Sequence, residues 1–208
     1  MRIDIDLDVS EFDRDADTYI RKDWSDGIVA GLNRWARVTQ LRLQTAMLRV
    51  FDRPVPFTAQ GASFLPARND GVRDPAVLIT IMRQQAQWLE LEIFGGERVA
   101  GDYATTSRGV LIPGPDAKVD RYGNLPRDFL SKALARKRVG WAPSRQQPGS
   151  LLLIEEIPGQ SSKLLALLVP EIDYKPRFDF YGVVGESAAA DLGPIIADEL
   201  SRSLAAGD

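Results

Sequence analysis

From Ser25 to about Phe51 the chain repeats apolar residues at helical spacing: Ile28, Leu32, Trp35, Leu43, Met47 and Val50, with Val29, Ala36 and Ala46 beside them. The pattern predicts one amphipathic helix, capped by Ser25 or Asp26. At 1.5 Å per residue it would be roughly 39 Å long. Pro54 and Pro56 must end it, because proline lacks the amide donor and pushes the preceding residue out of the helical region. A rod of that length sets the scale of whatever packs against it.

The rest of the sequence alternates short strand and helix signals. Ile3, Ile5, Leu7 and Val9 alternate with Arg2, Asp4, Asp6 and Asp8, the period of a half-buried strand, and an acidic, polar stretch follows. Ala62–Arg68 and Ala76–Met82 flank an Asn69-Asp70-Gly71 turn and read as a β-hairpin. Gln84–Glu92 suits a short helix ended by Gly95-Gly96, and Val110–Ile112 a short strand broken by Pro113-Gly114-Pro115. A helix is expected from about Pro126 to Lys137, then a polar loop over Val139–Gly149. Leu151–Ile157 and Lys163–Val169, joined at Pro158-Gly159, make a second hairpin. Phe178, Phe180 and Val183 suggest a last short strand. Leu192, Ile195, Ile196, Leu200 and Leu204 mark a C-terminal helix that Pro194 either starts or kinks.

Hairpins interrupted by helices, with no regular βαβ alternation, predict an α+β fold. Its antiparallel sheet would be built from hairpins and packed against the long helix and the C-terminal one. No repeat or linker divides the chain, so one domain over 1–208 is expected: an acidic strand and extension (1–24) and a core (25–208).

Neither cysteine nor histidine occurs in the 208 residues. That closes Ser-His and Cys-nucleophile catalysis, soft-ligand zinc sites and any disulfide framework. Carboxylate acid/base chemistry, a lysine nucleophile or a hard cation on oxygen ligands remains. No cofactor is implied. No apolar run approaches the roughly 18 residues that cross a bilayer, and Met-Arg-Ile-Asp-Ile-Asp is too acidic for a signal peptide. Folding in a reducing cytoplasm fits best. The net charge of −3 hides a polarity. Residues 1–26 hold nine acids against four bases, a balance of −5, while residues 27–60 hold five arginines against Asp52, a balance of +4. Such asymmetry suits contacts within the chain or between subunits.

Three segments carry a resemblance: Met47–Thr58 (MLRVFDRPVPFT), Val110–Leu134 (VLIPGPDAKVDRYGNLPRDFLSKAL) and Tyr174–Val184 (YKPRFDFYGVV), with a weaker one at Glu92–Arg98 (EIFGGER). In this order, over about residues 25 to 200, they resemble the minor tail protein Z, or tail-completion, family of tailed bacteriophages. The resemblance implies a virion structural protein rather than an enzyme. It would form a ring, six-fold to match tail tubes, at the head-proximal end of the tail or in the head–tail joint. Its partners would be copies of itself, the tail tube, the tail terminator or neck proteins. The acidic segment before Ser25 departs from the family pattern. The alternatives are a cation- or carboxylate-dependent virion-associated enzyme and a phage assembly chaperone.

Each candidate residue has a plain reading beside the functional one. Asp4, Asp6 and Asp8 would share a strand face as a cation site, but a half-buried strand needs a solvated face anyway. Glu155 and Glu156, being adjacent on a strand, point apart and form no acid/base dyad. Gly95-Gly96 and Gly114 lack a following Lys-Ser/Thr and read as positive-φ turns, not a phosphate loop. Arg53–Phe57, stiffened by two prolines, is either a connector or an extended docking arm presenting Phe57. Phe178 and Phe180 read as core, whereas Tyr174, Arg177 and Tyr181 suit an interface, where aromatics and arginine are the usual anchors. Arg53, Phe57, Tyr174, Arg177 and Tyr181 are therefore the interface candidates. Lys132, Arg136, Lys137, Arg138 and Arg145 form the strongest basic patch. It is either a solvated face or, in a ring around packaged DNA, a surface for non-specific phosphate contact.

Overall fold

The computed structural model describes residues 24–70 and 74–206. The strand expected at Ile3–Val9, the Asp4-Asp6-Asp8 row and Gly71 lie outside them. Within them the long apolar repeat forms a single helix, α1, Ser25–Val50. Of the expected face Trp35, Ala36, Leu43 and Met47 are buried, joined by Gly27, Gly31 and Thr39 and continued by Phe51, while Ile28 and Leu32 are half-buried and Val50 is exposed. The glycines join it because the closest approach needs no side chain. A Cβ on Gly31 would lie 2.9 Å from the Cα of Ile196, and one on Gly27 would lie 2.8 Å from Leu200 Cδ2.

The elements after α1 are α2 (Pro56–Ala59), β1 (Ala62–Leu65), β2 (Leu78–Ile81), α3 (Arg83–Phe94), β3 (Gly96–Val99) and β4 (Val110–Pro113). Then come α4 (Phe129–Leu134), β5 (Val139–Pro143), β6 (Leu151–Glu155), β7 (Lys163–Val169), β8 (Glu171–Tyr174), α5 (Phe180–Ser187) and α6 (Gly193–Ala206). Among the described residues every strand pair is antiparallel: β1-β2, β3-β8 and a sheet of order β4-β7-β6-β5. The fold is thus α+β, with a long helix in the N-terminal half and a C-terminal one. No helix among the described residues is long and apolar enough to cross a membrane.

By their internal contacts the residues form two compact units. The first comprises the described parts of Met1–Ala46, Ala62–Met82 and Phe180–Asp208. In it α1 is tied to the hairpin by Asn33, whose side chain bonds both the N–H and the C=O of Ala67, and by Gln40, which donates to the Ala62 carbonyl. Thr39 and Ser187 share a fully buried hydroxyl pair at 2.7 Å, satisfying two polar groups that would otherwise be costly to bury. Arg34 pairs with Asp198 and Glu199 of α6, which Arg202 also pairs with, and Arg42 pairs with Asp191 at 2.6 Å. Two of the five arginines in the basic stretch 27–60 are therefore matched by C-terminal acids.

The second unit comprises Met47–Gly61 and Arg83–Asp179. Phe129 and Ala133 of α4 pack on Leu153, Leu165 and Ala166 of the four-stranded sheet, with Leu111, Leu125, Leu130 and Trp141 around them. Met47, Phe51, Leu89 and Phe178 are also buried, the rings of Phe51 and Phe178 5.7 Å apart.

Four local expectations change. Val139–Pro143 is an edge strand, not part of a loop. Glu156 N–H bonds the Arg138 carbonyl and Ser144 N–H the Ser150 carbonyl. Alternation along that ladder turns the donorless Pro143 nitrogen outward, where an edge strand tolerates it. Phe180 opens a helix instead of lying in a strand: Phe180 and Ser187 are buried and Val184 half-buried, which is helical spacing. The last strand is β8, paired with β3, and neither was anticipated. The regular part of the helix sought at Pro126–Lys137 is only Phe129–Leu134. Pro194 follows a π-helical turn, Ala188–Leu192, and starts the main body of α6; wide turns of this kind absorb the missing amide.

Gly95 and Gly96 do take positive φ, 75° and 125°. Gly114 does not serve a positive-φ turn; it is required by contact. A Cβ there would sit 2.3 Å from the Leu164 carbonyl oxygen.

Candidate functional site

Two neighbouring clefts of the second unit, of 430 and 250 Å³, share Val55, Thr58, Trp88, Glu92 and Asn124. One wall comes from the segment between α1 and β1. Val55 is extended, as a residue before proline should be, and Pro56 then opens the single turn α2. Proline is well placed there because the first amides of a helix have no intrahelical acceptor. Phe57 is thus held on a helical turn, not on the extended arm expected, and Gln85 bonds its carbonyl at 3.1 Å. Phe57, 47 % exposed, leans on Trp88 with centroids 5.9 Å apart. Trp88 in turn stacks on Tyr103 at 5.1 Å and 23°. The same cleft is also lined by Arg98, Asn124, Arg127 and Tyr174.

Arg98 reaches the Tyr174 hydroxyl at 3.4 Å and also donates to the Tyr103 carbonyl, so a side chain of β3 links Tyr103 to Tyr174. Asn124 is placed by a turn in which the Asp120 carboxylate accepts from the Tyr122 and Asn124 amides at 2.8 and 2.9 Å. Arg127 is exposed.

Glu92 forms the floor common to both clefts. It is 7 % exposed, and its carboxylate accepts from Nη2 of Arg177 at 2.7 Å and from Nε of the same side chain. Its backbone carbonyl accepts from the amides of Arg177 and Phe178, both at 2.9 Å. The guanidinium also lies over the Phe51 ring, 5.2 Å from its centroid. The bond to Glu92 makes Arg177 hold its proton still more tightly than a free guanidinium, with burial opposing. Both carboxylate oxygens are thus engaged by one side chain, which fixes the Arg177 segment. Arg53, held at φ 46°, forms an exposed pair with Asp52 at 3.0 Å, and the guanidinium holds that carboxyl below the usual carboxylate range.

Four of the five interface candidates, Arg53, Phe57, Tyr174 and Arg177, therefore border these two clefts. Tyr181 belongs to the first unit, 64 % exposed and edge-on to Phe180. Trp88, Arg98, Tyr103 and Arg127 were not anticipated as site residues. Each is an ordinary surface residue in sequence, and only the β3-β8 pairing and the Asp120 turn collect them.

The basic patch is partly neutralised. Arg136 makes a two-pronged bond to Glu155 at 3.0 Å, and Lys132 pairs with Asp128, which lowers that carboxyl. Lys137 and Arg138 border a shallow cleft beside β5 with Glu156, while Glu155 lines another with Lys132 and Arg136. The two glutamates thus serve separate surfaces. Arg145 is exposed in the loop after β5. Among the described residues no three acids gather as a cation site.

Comparison with protein-family models, curated proteins and solved structures found no match.

Proposed function

We propose that this chain is a structural tail-completion protein of a tailed phage, acting as a ring subunit at the head-proximal end of the tail or in the head–tail joint. One observation supports this reading above others. The segments that carry the family resemblance, separated by tens of residues in sequence, each contribute to the paired clefts: Arg53, Phe57 and Thr58 from the first, Glu92 and Arg98 from the weak one, Tyr122, Asn124 and Arg127 from the next, Tyr174 and Arg177 from the last. Half-exposed stacked aromatics beside arginines are what a protein interface uses as anchors. The buried acid of the clefts is tied to Arg177, so the surface offers shape and charge rather than a reacting group. The work of such a protein is to mate the tail tube or its terminator with neck proteins, without turnover.

Copy number in purified virions tests the reading. A symmetric ring of this protein, six-fold to match the tube, is expected in averaged images. Phe57→Ala should leave a folded chain by circular dichroism yet give particles whose heads and tails remain unjoined. One copy per particle, or none, overturns the ring; joined particles at the normal frequency remove Phe57 from the interface.

A further inference from the structure

The aromatic–arginine cleft has an excess of positive charge. Arg98 and Arg127 border it, while its acid, Glu92, is already matched by Arg177. The same chain supplies a complementary segment outside the described residues. Residues 1–23 hold eight acids against four bases, and within them Ile3, Ile5, Leu7 and Val9 alternate with Arg2, Asp4, Asp6 and Asp8. Taken up in extended form, such a sequence turns one row apolar and the other mainly acidic. The cleft offers partners for both rows: the rings of Phe57, Trp88 and Tyr103 for the apolar one, and the guanidiniums of Arg98 and Arg127 for the acidic one. Another surface open to an added strand is the outer edge of β5. It is preceded by Lys137 and Arg138 and ends at the outward Pro143, the residue types by which edges resist strand addition.

We infer that residues 1–23 of one copy dock in the aromatic–arginine cleft of a neighbouring copy, linking subunits head to tail. The inference rests on the ring reading, since a donor segment on one copy and an acceptor cleft on the next is a heterologous contact, the kind that closes into rings. Apolar contact with the aromatic row supplies attraction, and Asp4, Asp6 and Asp8 against Arg98 and Arg127 set register and orientation.

The absence of cysteine makes the test clean. Full-length Asp6→Cys is mixed with full-length Asn124→Cys under mild oxidation, and heterodimer is read on a non-reducing gel. Asp6→Cys mixed with Arg145→Cys is the control, since Arg145 is exposed outside the cleft. Docking predicts a heterodimer yield about tenfold above the control, and a loss of about tenfold when Arg127→Glu is added to the acceptor chain. Yield at the control level, or indifference to Arg127→Glu, overturns the inference. So does a chain bearing both cysteines that closes on itself while the mixed single variants stay apart. Circular dichroism of each variant confirms that the chains compared are folded. Failure here with unjoined Phe57→Ala particles would leave the tail-completion reading standing and remove only this contact.

Discussion

The charge network between α1 and α6 in the first unit and the Glu92–Arg177 fork in the second are both ion pairs, yet they contribute differently. Arg34, Arg202 and Asp198 keep between 43 and 60 % of their side chains exposed. Pairs so exposed add little, because water and salt screen them. What brings α1 and α6 together is the absence of side chains at Gly27 and Gly31, which lets the backbones approach. In the second unit one carboxylate is nearly buried, and its partner also covers an aromatic ring. There the geometry of a single pair matters more than the number of pairs.

The sharpest way to break this contrast is Gly31→Leu. Replacing a helical glycine usually gains up to about 1 kcal/mol of propensity, but here a Cβ would meet the Ile196 backbone at 2.9 Å. Overpacking should win by about 3 kcal/mol, lowering Tm by roughly 6–12 °C in a thermal melt. A rise in Tm would show that the glycine contact is not what seats α6.

Arg177→Met comes next, with an expected loss of about 2–3 kcal/mol in urea unfolding, because the Glu92 carboxylate is left buried and unmatched. Adding Glu92→Leu should return most of that loss, since an apolar pair of similar size replaces the ionic one. A double variant no better than Arg177→Met would mean that the guanidinium acts mainly through Phe51. Tyr103→Ala should cost under about 1 kcal/mol, because Tyr103 is 51 % exposed; a larger loss would make the aromatic row core rather than surface.

The smallest effect concerns pH. The bond from Arg34 holds the Asp198 carboxyl below its ordinary value of 3.8. A depressed acid gives stability that is present above the unfolded value and lost as pH falls through the folded one. The melting temperature of the wild type should therefore decline more steeply below about pH 4 than that of Arg34→Gln. High salt should shrink the difference. Parallel acid profiles would mean that the network adds nothing.

The architecture was legible where pattern and packing agree. The β6-β7 hairpin and the α1 rod follow from apolar period and from proline. The buried face of α1 is legible at Trp35, Ala36, Leu43 and Met47, where apolarity and burial coincide, but not at Gly27 and Gly31, where burial follows from having no side chain. Val139–Pro143 was hidden by a proline that an outward edge position tolerates. The site was half legible: Phe57 and Tyr174 stand out as aromatics near prolines, but Trp88 and Tyr103 acquire meaning only through stacking across 15 positions of sequence. Phe57 itself sits on a turn rather than an arm because Pro56 opens a helix as readily as it stiffens a strand.

Glu92 also has a consequence in time. Its side chain and carbonyl hold the Arg177–Phe178 stretch across 85 positions of chain, and a contact that distant closes a long loop before it yields any stabilisation. A latch that closes after the folding barrier would, on removal, hasten unfolding and leave the refolding rate nearly unchanged, and stopped-flow rates of Arg177→Met test for that. Amide hydrogens of Arg177 and Phe178 would then exchange with solvent through opening of this stretch alone, sooner than those of Leu153 and Ala166 in the sheet.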